Sequence, residues 1–151
     1  MFQGTENDQL LDIVIKKDMV QQKLEELNCN KSQGSDEIHP RLLKELSSVI
    51  AEPLAKLFQK SLVQGVVSND WREANITALF KKGGSNSASQ NYRPVSSTSV
   101  ICKQMASIIE DEIIKHFKIF KLINGSQHGF TKGRSCLTNL LEFFEKNLRM
   151  Q

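Results

Sequence analysis

The sequence is poor in the features that mark secreted, membrane-spanning and metal-binding proteins. No run approaches the roughly 18 to 20 consecutive apolar residues that cross a bilayer. The polar first residues lack the basic start and apolar stretch of a signal peptide. The three cysteines are far apart, form no C-x-x-C pair and have no zinc spacing to the histidines. We therefore expect an intracellular protein of the nucleus or cytoplasm, with no membrane contact and no metal or other cofactor in this chain.

Residues suited to catalysis are also scarce. The chain has no G-x-S-x-G motif, and no serine or cysteine is paired with a base. None of its aspartates adjoins another or lies in an apolar strand, whereas a two-metal site needs carboxylates in one pocket. Asp36 falls in a turn and Asp70 precedes Trp71, where hydrogen bonds to nearby backbone are the expected role. We assign no catalytic residue.

Composition and net charge indicate a globular protein but do not distinguish among the functions open to one. Hydrophobic residues make up 39% of the 151-residue chain and charged residues 25%, which is ordinary for a soluble globular domain. The net charge of +3 says little about nucleic acid unless the cations cluster. The grouping of lysines and arginines along the chain therefore matters more than their total.

Helical patterns cover most of the chain. Residues 1–14 are predicted to be a flexible leader, and residues 15–151 one partial domain. Apolar residues at helical spacing predict a helix over about 19–28, with Asp18 as its N-cap and Gln21 as the capping-box partner.

Two prolines and a glycine divide the next helical stretch. Pro40 suits the first turn of a helix whose apolar stripe continues to Ala51. Pro53 is expected to interrupt it, because proline lacks the amide hydrogen that a helix interior needs. A further helix then runs to a stop at Gly65.

Two more helices are expected in the second half. Residues 99–118 give the clearest amphipathic pattern, and Ser135 is the predicted cap of a final helix. The first of these has its apolar stripe at Cys102, Met105, Ile109, Ile113 and Phe117.

A predicted β-hairpin carries the densest group of cations. The first predicted strand covers residues 73–80; its final run Ala78-Leu79-Phe80 leads into Lys81 and Lys82. A Gly/Ser/Asn-rich turn follows, and Asn91-Tyr92-Arg93-Pro94 opens the return strand, predicted over 93–98. Arginine offers a planar fork and lysine a mobile point charge, and both suit phosphate. The alternative is that these charges merely solvate a hairpin tip and protect an edge strand.

A second candidate segment runs from Gln127 to Arg134. Its glycines, Gly129 among them, allow a backbone to approach a ligand closely. Phe130 could stack on a base or sugar, and Lys132 and Arg134 could meet phosphates. The alternative is a turn with one aromatic residue anchored in the core.

In order along the chain, five stretches resemble the reverse transcriptases of non-LTR (LINE-type) retrotransposons, of the chicken-repeat and Jockey type. They resemble that family's first helix, its Gly-Pro-Asp-Gly-Ile-His-Pro turn, its first fingers strand, its most diagnostic fingers motif and the segment just before the first palm strand. These stretches are Asp18 to Ser32, Gly34-Ser35-Asp36-Glu37-Ile38-His39-Pro40, Trp71 to Gly83, Asn91-Tyr92-Arg93-Pro94-Val95-Ser96 and Ser126 to Cys136.

The resemblance implies an α+β fold: mostly helical fingers and the start of a palm, with one β-hairpin, truncated before the catalytic palm strands. It implies that Lys81 or Lys82, with Arg93, contacts the triphosphate of an incoming deoxynucleotide. By the same resemblance, the nucleotide and template path is lined by Tyr92, Gln127, Gly129, Phe130, Lys132 and Arg134. Mg²⁺ is implied only for the complete polymerase, and the implied partners are RNA, an RNA–DNA duplex and a deoxynucleotide triphosphate.

Three hypotheses follow from this resemblance. The first is a truncated RNA-directed DNA polymerase fragment that is inactive alone, because the palm aspartates are not in this chain. The second is a co-opted RNA- or DNA-binding module that keeps the basic hairpin. The third is a partly folded remnant that self-associates through the exposed faces of helices 99–118 and 135–148.

Two departures from the family pattern have physical consequences. Glu37 replaces the second glycine of the Gly-Pro-Asp-Gly turn, which would strain a position of positive φ. Ser97 replaces the usual leucine after Pro-Val-Ser, which would weaken a buried strand.

Overall fold

The computed structural model describes residues 10, 12–81, 83–129, 131 and 133–148. Over these residues the fold is α+β, with six α-helices, one 3-10 turn at Ser89–Asn91 and one antiparallel pair of strands. The elements are α1 Lys17–Glu25, α2 Pro40–Glu45, α3 Ser47–Gln64, α4 Asn69–Arg72, β1 Ala74–Phe80, β2 Tyr92–Thr98, α5 Val100–Ile119 and α6 Cys136–Leu148. The chain divides into two compact units, and the boundary at Glu112 and Ile113 falls within α5.

The first unit, residues 11–112, is built around a core shared by α1, α3 and the first half of α5. Apolar residues spaced three or four apart put one stripe of each helix inside. Phe58 is fully buried, and Trp71 packs edge-on against it with 5.6 Å between ring centroids. Burying a side chain of this size stabilises the fold by about 1.5–3 kcal/mol. Trp71 therefore packs against the core from a half-buried position.

The side chain of Gln59 joins the start of the described chain to α3. Its carbonyl accepts from the Ile15 N–H at 2.7 Å, and its amide group donates to the Ile13 carbonyl at 3.2 Å. Ile13 also packs against the core. The predicted leader, residues 1–14, lies mostly outside the described residues.

Two helix predictions were wrong in detail. The N-cap of α1 is Lys16 rather than Asp18, and its side chain makes no capping hydrogen bond. Pro53 does not interrupt a helix, because α3 runs through it and the break falls at Leu46 instead. Pro53 leaves the Val49 carbonyl without its usual i+4 donor. Both residues are solvent-exposed, so that carbonyl can bond water.

Other boundaries agree with the sequence predictions. Pro40 occupies the first turn of α2, and Gly65 caps α3 in the left-handed region at φ 64°. The strands match the predicted hairpin to within a residue or two. In α5 the buried residues are Val100, Met105 and Ile108. The predicted stripe contained only Met105 of these, and its Phe117 is exposed. No described helix is long and apolar enough to cross a bilayer.

The second unit comprises the rest of the described chain from Ile113, including α6. Ser135 caps α6 as predicted, because its hydroxyl accepts from the Thr138 N–H at 3.3 Å. The apolar side chains of α6 are exposed in this unit: Leu137, Leu140, Leu141, Phe143, Phe144 and Leu148. Self-association through this face stays a prediction.

Candidate nucleotide and nucleic-acid interface

The hairpin register places the cations of the tip on one face. Leu79 lies opposite Arg93, and the Lys81 N–H donates to the Asn91 carbonyl at 2.6 Å, which extends the pairing by one step. Side chains alternate between the faces of a strand, so Lys81 and Arg93 share a face on diagonal positions. Such diagonal neighbours lie about 7–8 Å apart, within reach of one phosphate group for long side chains.

Of the two hairpin cations that the structure describes, Arg93 is the more available to a ligand. Its side chain is exposed and makes no hydrogen bond or ion pair with the residues that the structure describes. Lys81 is also exposed, but its ammonium donates to the Gln90 carbonyl at 2.9 Å. An ammonium has three donors, so this bond fixes the position of Lys81 and leaves two donors for an anion. The third predicted cation, Lys82, lies outside the described residues.

The loop at the tip is held by its own polar side chains. The Asn91 amide donates to the Ser85 carbonyl at 2.8 Å, and the Tyr92 hydroxyl donates to the Asn86 carbonyl at 2.9 Å. The Tyr92 ring also packs against Phe80, with centroids 5.4 Å apart. Tyr92, predicted to line a nucleotide path, therefore stabilises the loop that positions Lys81 and Arg93.

The base of the hairpin is held by the turn of residues 34–37. The Ser99 hydroxyl donates to Asp36 Oδ2 at 2.6 Å, while Asp36 Oδ1 accepts from the Ile38 N–H at 3.2 Å. Gly34 is buried so close to β2 that a Cβ there would lie 2.4 Å from the Thr98 carbonyl oxygen. Asp36 has the turn role predicted for it.

Two serine side chains, one from the turn and one from β2, complete this contact. Ser35 Oγ donates to the Glu73 carbonyl at 3.0 Å, and Ser97 Oγ donates to the Gln33 carbonyl at 3.3 Å. The expectation of a buried strand at Ser97 was wrong, since most of β2 is exposed. The hydroxyl of Ser97 bonds the loop at a half-buried position instead.

A lysine-lined cavity of about 290 Å³ lies between α1, α5 and the loop that leads to the turn. Lys31 and Lys103 line it and are exposed, and Lys23, which also lines it, pairs with Asp111 at 2.6 Å. Sequence reasoning missed this group, because Lys31 and Lys103 are distant along the chain and no local pattern joins them.

In the second unit, the predicted template segment is stabilised by internal hydrogen bonds. Arg134 Nη1 donates to the carbonyls of Gly125 and Gln127, the latter at 3.0 Å. Gln127 donates to the Gly129 carbonyl at 3.4 Å. Arg134 is thus used to close this loop, and Gln127 and Gly129 are exposed on it. Phe130 and Lys132 lie outside the described residues.

One face of α6 holds the same loop. His128 contacts Thr138 Oγ1 at 2.9 Å through Nδ1 and Glu142 Oε2 at 2.6 Å through Nε2. Glu142 also accepts from Lys146 Nζ at 2.6 Å. Hydrogen bonds from Lys146 and His128 lower the pKa of Glu142 to about 2. Glu142 is therefore an anion at neutral pH and holds the loop through His128.

No protein-family model matches this chain.

The site is consequently defined by its geometry alone. Within the part of the chain that the structure describes, no three His, Cys, Asp or Glu side chains are grouped to hold a metal ion. What the first unit offers a ligand is positive charge, at the hairpin tip and in the lysine-lined cavity. Such an arrangement can bind phosphate groups.

Proposed function

We propose that this chain is the fingers portion of a reverse transcriptase of the non-LTR retrotransposon class, and that its hairpin binds phosphates of a deoxynucleotide, an RNA strand or an RNA–DNA duplex. The observation that carries the proposal is the shared face of Lys81 and Arg93 at the tip. Arg93 is exposed and has no partner among the described residues, so its guanidinium is available for a bidentate phosphate contact.

The contacts at the base of the hairpin support the same proposal. The resemblance is carried by separate stretches, and two of them meet here: Ser35 of the turn donates to the carbonyl of Glu73, which lies in the stretch from Trp71 to Gly83. A glycine is required at position 34 because a Cβ would overlap the Thr98 carbonyl. Because the turn is hydrogen-bonded to the base of the hairpin, it orients the tip relative to the helical core.

Magnesium is outside this proposal. The tip offers lysine and arginine, and the sequence from Gly83 to Asn91 has no carboxylate, so the donor set does not fit Mg²⁺. The metal that the resemblance implies belongs to the carboxylates of a complete polymerase. The hairpin would hold the phosphates and compensate their charge.

Fluorescence anisotropy of a labelled, primed RNA template tests the proposal. The double variant Lys81→Ala/Arg93→Ala is expected to bind at least about tenfold more weakly than the unmodified chain, since phosphate contacts dominate such binding. The matched control is Lys17→Ala/Lys56→Ala, which removes the same charge from exposed helix positions. Equal weakening by both variants, or no binding by the unmodified chain, would contradict the proposal.

A further inference from the structure

Among the residues that the structure describes, no strand pairs with the outer edge of β1. The Lys81 N–H bonds the Asn91 carbonyl, so the odd-numbered residues of β1 direct their amides and carbonyls towards β2. The even-numbered residues direct theirs outwards. These residues are Ala74, Ile76, Ala78 and Phe80.

The two outer edges of the hairpin differ. In β2 the outward positions include Pro94, which has no N–H to donate, and this interrupts that edge. In β1 the sequence from Ala74 to Phe80 contains no proline and no charge. Natural edge strands usually carry such protection against strand addition. The β1 edge therefore remains open to a further strand.

The side chains of β1 also lack a partner surface. All seven residues are exposed, with Ile76 at 71%, Leu79 at 53% and Phe80 at 40%. A two-stranded hairpin with both faces in water is marginally stable, and added strands stabilise it. An occupant of this edge would cover apolar side chains as well as pair the backbone.

The sequence of β1 is complementary to itself. Antiparallel pairing about a twofold axis at Thr77 sets Ala74 against the partner's Phe80, and Ile76 against the partner's Ala78. Both are large–small pairs, and all four residues have outward-facing backbone. We propose that a second copy of this chain occupies the edge, so that two hairpins form a four-stranded sheet through β1.

Charge complementarity supports this occupant. The same register, extended by one residue at each end, sets Lys81 opposite the partner's Glu73, and both side chains are exposed. Glu73 has extended backbone, φ −83° and ψ 148°, so the strand geometry continues to it. The contact occurs twice, as a twofold interface requires. Pro94 on each outer strand stops further addition and makes the assembly a closed dimer.

Charge-reversal variants of the full chain test the register of the proposed β1–β1 pairing. Sedimentation velocity measures how strongly each variant dimerises. Glu73→Lys and Lys81→Glu each set like charges opposite one another, so each alone is expected to dimerise at least about tenfold more weakly. The double variant, and an equimolar mixture of the two single variants, restore opposite charges and are expected to dimerise like the unmodified chain. Because the mixture contains the same two proteins, its recovery also shows that each variant is folded.

Disulfide formation tests the twofold axis. In the proposed dimer, Thr77 of one copy lies opposite Thr77 of the other in a non-hydrogen-bonded pair. The Cα atoms of such a pair lie about 4.5 Å apart, which is within disulfide range. Thr77→Cys in a Cys136→Ser background, which removes the exposed native thiol, is expected to give a covalent dimer on oxidation. Asn75→Cys in that background faces the partner's Leu79 and is expected to remain mainly uncross-linked.

Three results would overturn the inference. They are a monomer at all concentrations, a dimer that is insensitive to both charge reversals, and equal cross-linking of the two cysteine variants. A dimer that is instead lost in Leu141→Lys/Phe144→Lys, with the charge reversals having no effect, would assign the interface to α6. None of these results bears on phosphate binding by Arg93, so this inference and the proposed function can fail separately.

Discussion

At the scale of single residues, the turn at positions 34–37 combines a required glycine with a strained glutamate. Gly34 approaches the Thr98 carbonyl too closely for any Cβ, and Glu37 has φ 56°, in the left-handed region. The strain at Glu37 was expected from the sequence, and the structure confirms it. The turn nevertheless persists because Asp36 and Ser35 bond the hairpin base.

Glu37→Gly is expected to stabilise the first unit. Glycine adopts positive φ without a Cβ penalty, so the free energy of unfolding should rise by about 1 kcal/mol. Urea denaturation followed by circular dichroism measures the change. The control is Glu26→Gly, where φ is −77° and glycine should destabilise by about 0.5–1 kcal/mol. A loss of stability in Glu37→Gly would mean that the side chain contributes more than its backbone costs.

Gly34→Ala is expected to have the opposite effect. The new methyl group would lie 2.4 Å from the Thr98 carbonyl oxygen, so the turn or β2 must move, at a cost of about 3 kcal/mol. Gly125→Ala is the control, because a Cβ there meets nothing within 4 Å. The same denaturation experiment compares them, and equal stability of the two variants would show that the close approach is absent in solution.

At the scale of elements, α3 shows how a helix tolerates proline at an exposed position. Pro53→Ala restores the amide donor to the Val49 carbonyl and is expected to raise the free energy of unfolding by about 1–3 kcal/mol. Pro40→Ala is the matched control at a first-turn position, where the ring is fully buried and no donor is needed. Thermal denaturation of both should show a higher midpoint for the first and a lower one for the second. A lower midpoint for Pro53→Ala would indicate that the proline ring contributes packing.

The loop bound to α6 should respond to pH through Glu142. Its pKa falls from an ordinary 4.5 to about 2 in the folded chain, so its ionised form contributes stability above pH 4.5. That stability is lost as the pH falls from 4.5 towards 2. Lys146→Met removes the largest cause and should raise the pKa of Glu142, measured by carboxyl-carbon NMR. Lys60→Met is the distant control, and an equal shift in both would refute the role of Lys146.

At the scale of the whole chain, local patterns predicted more than contacts distant in sequence did. The β-favouring residues on either side of the Gly/Ser/Asn turn were sufficient to predict the ends of β1 and β2 to within one residue. The continuation of α3 through Pro53 was not predictable from the sequence. A proline is tolerated there because Val49 is solvent-exposed, and solvent exposure is a tertiary property. The contact of His128 with Glu142 joins residues 14 apart. No periodic pattern indicates such a pair.

The same limit applies to the candidate site. The sequence identified Lys81 and Arg93 as hairpin cations, and the register then placed both on one face. Neither the bond of Lys81 to the Gln90 carbonyl nor the use of Arg134 within its own loop could be read from residue types. Those contacts distinguish a cation that is free to bind a ligand from one that stabilises the fold.

The salt dependence of RNA binding tests phosphate recognition by the hairpin most directly. Each phosphate contact contributes about 0.7 to the slope of log affinity against log salt for a single strand. Lys81→Ala/Arg93→Ala is therefore expected to reduce the slope by about 1.4, while Lys17→Ala/Lys56→Ala leaves it unchanged. An unchanged slope in the hairpin variant would show that Lys81 and Arg93 do not contact phosphate, and would contradict the proposed function.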